Sequence, residues 1–240
     1  MNSAPRDRAV QTRKTILRAA IREFSAHGLS GARTDAIAQT AKVNKALLYY
    51  YFKNKRGLYS AALEEVSGTV IESALTALDP KYGAGERLLR TALNHFDRVF
   101  AQREFQSLMQ QEMVRFRLGE SETLPLLMKK VFKPLLGKLQ ETILEGIKTG
   151  ELCEMDWLQV VYSMLGANVL FFLSAPMIRL ALPFHPFDAV AIDARRTAVL
   201  QFLSNALFVD RAHGAKLAQR VLADMPTPQV KNVRLLRRNL

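Results

Sequence analysis

Apolar residues recur along this chain at steps of three and four, and no stretch offers a competing strand pattern. Between Thr12 and His27, Ile16, Leu17, Ala20, Ile21 and Phe24 form the stripe of an amphipathic helix that Gly28 ends. Thr34 and Asp35, both N-cap residue types, open a short second helix with Ile37, Ala38 and Ala41 at helical spacing, interrupted by Lys42 and Val43. Asn44 caps a third, Lys45 to Phe52, whose Leu48 and Phe52 face the core. Lys45, Ala46, Leu47, Tyr49, Tyr50 and Tyr51 are left to face outward or sideways. A small domain does not normally expose a leucine and several tyrosines on one short helix, so this face is read as a docking surface.

Asn54 caps a longer helix, Lys55 to about Leu78, with Leu58, Ala62, Val66 and Val70 on one side; Asp79-Pro80 and Gly83-Ala-Gly85 stop it. Glu86 to Gln102, Glu104 to Leu118, Leu124 to Thr149, Asp156 to about Leu182 and Asp188 to about Arg211 follow as helices, then a short helix from Gly214 to Met225. Pro134 and Pro176 predict a kink or a split where they fall. The fold class expected is all-α: a three-helix domain over residues 1–57 with a basic arm at 1–11, a larger helical domain over 58–225, and a basic, mobile tail over 226–240. The stretch Leu158 to Ile178 carries no charge and is long enough to span a bilayer. Gln159, Asn168 and Pro176 argue against that, and a helix apolar all round is instead expected to be buried against partner helices, with no membrane involved.

Charge changes the picture. The chain has 34 basic and 22 acidic residues, a net of +12. Residues 1–60 hold twelve basic residues against Asp7, Glu23 and Asp35, and the last fifteen add Lys231, Arg234, Arg237 and Arg238, leaving a near-neutral middle. A basic excess confined to one end is the footprint of a phosphate-binding surface. For the arm from Arg6 to Lys14 two readings stand side by side, a frayed terminus and an extra phosphate or minor-groove contact. Cys153 is the only cysteine, which excludes an internal disulfide and a cysteine-based zinc site and suits a reducing cytoplasm. The N-terminus lacks the apolar stretch of a secretory signal.

Two short helices joined by a tight turn, the second with exposed side chains, make the helix-turn-helix layout that sets its second helix in the DNA major groove. Phe24, Gly28, Thr34, Ile37, Ala38, Val43, Leu48, Tyr49, Phe52 and Lys55 stand at the places that define the N-terminal DNA-binding domain of the TetR family, which residues 12–58 resemble. The sequence departs from the family pattern at Lys42, most often glycine, and at Leu47, commonly polar. The resemblance implies a homodimer on a palindromic double-stranded DNA operator, acting as a repressor released by a small molecule. It further implies a four-helix dimer interface, for which Asp156–Leu182 and Asp188–Arg211 are the matching helices.

The DNA-binding residues expected are Arg33, Thr34, Asn44, Lys45, Ala46, Leu47, Tyr49, Tyr50, Tyr51, Lys53 and Lys55. Lys45 is assigned to a guanine edge and Leu47 to a thymine methyl; Thr34, Asn44, Tyr49, Tyr50, Lys53 and Lys55 are assigned to phosphates. Phenylalanine and methionine enrich the body, and an apolar or amphipathic effector is expected among Phe96, Phe100, Met109, Met113, Phe132, Asn168 and Phe171. His95, Gln110, Glu112 and Arg115 are further polar candidates for orienting it. The helix from Lys55 is expected to carry motion from body to head. The histidines, His27, His95, His185 and His213, are dispersed, and neither a metal-binding pair nor a nucleophile turn appears, so no cofactor, metal or catalytic residue is assigned. The alternative is a helical interaction module or enzyme that retains a vestigial helix-turn-helix.

Overall fold

The computed structural model describes residues 5–183 and 185–229; Lys231, Arg234, Arg237 and Arg238 of the basic tail, and the first four residues of the arm, lie outside them. The chain is 81% helical without strands among the described residues. It contains α1 (Pro5–Gly31), α2 (Thr34–Ala41), α3 (Lys45–Phe52), α4 (Lys55–Ala77), α5 (Ala84–Ala101), α6 (Arg103–Arg117), α7 (Thr123–Leu127), a π-helical turn (Met128–Phe132), α8 (Lys133–Lys148), α9 (Trp157–Ala181), α10 (Ala189–Leu207) and α11 (Arg211–Asp224).

Two compact units divide the chain, one of Met1–Thr69 with Gln102–Phe132, the other of Val70–Ala101 with Lys133–Leu240. This differs from a single boundary after residue 57: α6, α7 and the π turn pack with the N-terminal helices. In that first unit Ile16, Leu17, Phe24, Ile37, Leu48 and Leu58 are fully or almost fully buried, joined by Leu108 and Leu127. The reason for the grouping is polar as well as apolar. Glu112 of α6 is fully buried and accepts hydrogen bonds from Tyr59 Oη of α4 at 2.9 Å, from Arg115 at 2.9 Å and from Ser121 Oγ. Burial and the Glu112 charge both push the Tyr59 phenol upward.

Gly28 ends the regular part of α1 as expected, with φ 67° inside the helical span. The helix predicted over 124–149 is broken into α7, the π turn and α8. Pro134 has no N–H to give to a carbonyl four residues back, so the ladder is interrupted just before it. At Pro176 the expected split is absent, and α9 runs on to Ala181. α10 stops at Leu207, short of Arg211, and α11 starts three residues earlier than expected. Asp210 is its cap, accepting from the N–H groups of Ala212 and His213 at 2.8 and 3.1 Å.

In the second unit α5 lies among α8, α9, α10 and α11. Leu88, Leu89, Leu93, Leu139, Ile143 and Leu200 build its core. α5 also buries charge: Glu86 is bound within the helix by Arg90, itself buried, at 2.8 Å, and by the exposed Arg220 of α11, which ties the two helices. Arg196 of α10 clasps Asp97 of α5 through two bonds of 2.8 and 3.0 Å. A smaller aromatic cluster, Phe96, Phe100, Phe171 and Phe172, sits apart from the main core, with ring centroids 5.0 to 6.4 Å apart. Trp157–Ala175 within α9 is long and apolar enough to cross a membrane, although a third of it is already buried.

Candidate nucleic-acid interface

The turn between α2 and α3 is set by Lys42, which takes the left-handed conformation at φ 54° and ψ 43°. Glycine, the usual residue there in the pattern that residues 12–58 resemble, would take this conformation without strain; here a lysine takes it. The strain is compensated by hydrogen bonds, Lys42 N–H to Gln39 O at 3.1 Å and Val43 N–H to Ala38 O at 3.0 Å. Asn44 then caps α3 as expected, its Oδ1 accepting from Leu47 N–H at 2.7 Å. The α2 cap is different: Arg33 occupies that position without a side-chain bond, and Thr34 is the first helical residue. Asp35 in the first turn supplies the negative charge that the missing cap does not.

The expected interface residues fall into three groups. Arg33, Asn44, Lys45, Ala46, Tyr50 and Lys53 are exposed, Tyr50 most of all among the aromatics at 80%. Leu47, Tyr49, Tyr51 and Lys55 are half-buried. Thr34 is buried, and its hydroxyl lies 3.1 Å from Tyr49 Oη. Tyr49 and Tyr51 pack their rings on the head core, and Tyr51 meets Tyr50 edge-on at 5.4 Å. Two cations are held inside the chain. Lys45 Nζ lies 2.9 and 3.1 Å from the two Asp35 carboxylate oxygens, and this bond raises its pKa. Lys55 Nζ donates to Ser30 O at 3.0 Å. None of these partners was legible from spacing, since each reaches 10 to 25 residues along the chain.

The corner from α3 into α4 is tight. Lys53 has φ 63°, Asn54 N–H donates back to Phe52 O at 2.7 Å, and Gly57 N–H donates to Asn54 Oδ1 at 2.8 Å. A Cβ on Gly57 would stand 2.4 Å from Phe52 O, so a side chain has no room there. Beside the α2–α3 turn, Arg8, Gln11, Thr12 and Thr15 of α1 line an open groove of about 580 Å³ with Ala41, Lys42 and Val43. The described part of the basic arm is therefore helical and ends next to the turn.

The residues expected around an effector do not form one group. Phe96 and Phe100 are buried and Phe171 half-buried in the aromatic cluster. Asn168 is fully buried, donating to Ala92 O at 2.9 Å and standing 3.3 Å from His95 Nδ1, while its Oδ1 has no partner. His95 keeps part of its surface, but desolvation of the imidazole pushes its pKa down to about 4. Met109, Met113 and Phe132 belong to the first unit, Met113 being 47% exposed. Glu112 and Arg115 are turned toward each other in the buried cluster described above.

Residues 16–62 match the family model of bacterial regulatory proteins, tetR family. Over 54 residues the chain is 46% identical to the HTH-type transcriptional repressor SCO4008 of Streptomyces coelicolor, covering 22% of this chain and 28% of that protein. The chain thus spans little more than a quarter of that curated relative's length. A transcriptional regulator of Saccharomonospora viridis, solved with choline, superposes with TM-score 0.68 at 17% identity over 84% of this chain and all of that one. FadR of Bacillus subtilis, solved with stearoyl-CoA, does so with TM-score 0.62 at 22% identity over 79% of this chain and 96% of that one. At these identities the two structures establish a shared fold.

Proposed function

We propose that this chain, whose residues 16–62 match the tetR family model, is a TetR-family protein: a non-enzymatic, sequence-specific DNA-binding regulator of the cytoplasm, a homodimeric repressor answering to a small molecule. The observation that carries this reading is the exposed face of α3, fixed by the Asn44 cap and bearing Lys45, Leu47 and Tyr50 beside Lys53. Lys45 is assigned to a guanine edge and Leu47 to a thymine methyl, with Arg33, Asn44, Tyr50, Lys53 and Lys55 on phosphates. Thr34 and Tyr49 act as a pair, through the tyrosine hydroxyl. Binding-site selection from random duplexes tests the reading: two inverted half-sites are expected, and recovery of unenriched sequence would refute it.

Dimerisation is supported by the apolar side chains that α9 and α10 leave in solvent, including Tyr162, Leu170, Met177 and Phe202 at 61 to 71% exposure. For the effector, the aromatic cluster of the second unit offers apolar walls, and the unpartnered Oδ1 of Asn168 offers a buried acceptor. An apolar or amphipathic molecule carrying one hydrogen-bond donor fits that chemistry. Choline and stearoyl-CoA belong to the two proteins named above, and only the breadth of ligand the fold accepts carries over. Effector and operator must weaken each other by one factor; a hundredfold effect corresponds to ~2.7 kcal/mol.

A further inference from the structure

Asp35 is an acid on a face that should attract phosphates. Of the three acids in the first 60 residues, Asp7 lies in the first turn of α1, and Glu23 is occupied with the backbone N–H of Arg33, 2.9 Å away. Asp35 stands beside α3 instead, with its carboxylate 62% exposed and both oxygens within 3.1 Å of Lys45 Nζ. An exposed pair of this kind adds little to stability, and the first-turn role of Asp35 in α2 needs no Lys45, so stability does not account for the pairing. Its effect lies in what the ammonium is left able to do. A lysine ammonium has three N–H donors on a flexible stem, and unpaired it is a point charge indifferent to sequence. With one donor committed to Asp35, the other two are left to donate, in directions set by α2.

The couple also presents an acceptor next to a donor. A G·C pair shows O6 and N7 acceptors on guanine and an N4 amino donor on cytosine at the major-groove edge. A Lys–Asp pair has the complementary arrangement, ammonium to guanine and carboxylate to cytosine. An A·T pair also offers the carboxylate an amino donor, adenine N6, but gives the ammonium single acceptors in place of the paired O6 and N7 of guanine; elsewhere the carboxylate meets acceptors or phosphates and repels them. Resting on the proposed reading of α3 as the DNA-contacting helix, we infer that Asp35 is a specificity-determining residue, which aims Lys45 at one G·C base pair in each half-site and weakens binding to all other DNA.

The test compares wild type, Asp35→Ala, Asp35→Asn and Lys45→Ala/Asp35→Ala by binding-site selection and by salt titration on a random duplex. Wild type is expected to select G·C at one position per half-site. Both single variants should bind random duplex more tightly, with a salt slope steeper by about one unit per head because a repelling charge is gone. Their preference at the G·C position should fall from about tenfold or more to about threefold or less. The double variant should show no preference there. Asp35→Asn keeps the shape and leaves α2 its first-turn polar group, so a change shared by both variants comes from the charge. A purely structural role in α2 would lower Tm and weaken all sequences alike, leaving the consensus intact. That result, or a G·C preference unchanged in both variants, overturns the inference while the wild-type consensus still stands. A wild type with no consensus at all overturns the reading it rests on as well.

Discussion

On α3 two of the polar side chains are already engaged within the chain, Lys45 with Asp35 and Tyr49 with Thr34, as is Lys55 beside it with Ser30 O. On α9 and α10, by contrast, Leu170, Met177 and Phe202 stand in solvent, more than half of each exposed. A surface of the first kind binds by exchanging partners, so its net gain is modest and its answer depends on which partner fits. A surface of the second kind gains by losing water, in rough proportion to area and with little regard to sequence beyond shape. One is suited to discrimination and the other to holding two copies together.

Placing a charge on the apolar surface should break the contrast most severely. Leu170→Glu is expected to raise the dimer dissociation constant about a hundredfold or more, because a carboxylate would have to be buried in the interface. Sedimentation should then find monomer at micromolar concentration, with helical content unchanged. Next comes a fully enclosed carboxylate. Glu112→Ala leaves Tyr59 and Arg115 without their shared acceptor and should cost about 3 kcal/mol in urea unfolding.

His95 gives a comparable effect that pH can switch. Its folded pKa, about 4, lies below the usual value near 6.5, so the unfolded chain binds the proton more readily. Stability is therefore complete above pH 6.5 and is lost as pH falls toward 4, by roughly 3 kcal/mol in all. His95→Gln should flatten that part of the pH–stability curve. Asn44→Ala removes one cap and should cost about 1 kcal/mol, read as a lower Tm. Smallest of all, Lys55→Ala should leave the consensus untouched and reduce the salt slope of DNA binding by about one unit per head, which separates a phosphate contact from a base contact.

What the sequence made legible is what neighbouring residues decide among themselves. The Asn44 and Asn54 caps, the stripe from Ile16 to Phe24 and the break at Gly28 all depend on groups a few residues apart, and all appear in the structure. What escaped lies between residues far apart in the chain. Tyr59 and Glu112 are 53 positions apart, and nothing in either local pattern marks them as a pair. That pairing is one reason α6 belongs with the head helices. The exposed face of α3 was legible, but not the in-chain partners of its residues, since Asp35 reads locally as a first-turn acid and only the α2–α3 geometry brings it to Lys45. The effector residues were chosen by type, and type alone did not distinguish Phe96 and Phe171, which share a cluster, from Met109 and Phe132, which sit in the other unit.

The corner at Gly57 has a mechanical consequence. With no room for a Cβ against Phe52 O and with Asn54 bonded in both directions, the joint between α3 and α4 has no slack. On this local geometry α3 is expected to turn with the first turns of α4 as a crank turns with its shaft. α4 runs 23 residues, about 34 Å at 1.5 Å per residue, so a tilt of about 5° about one end sweeps the other through about 3 Å. That arc is as long as a hydrogen bond, enough to break the base contacts proposed for Lys45.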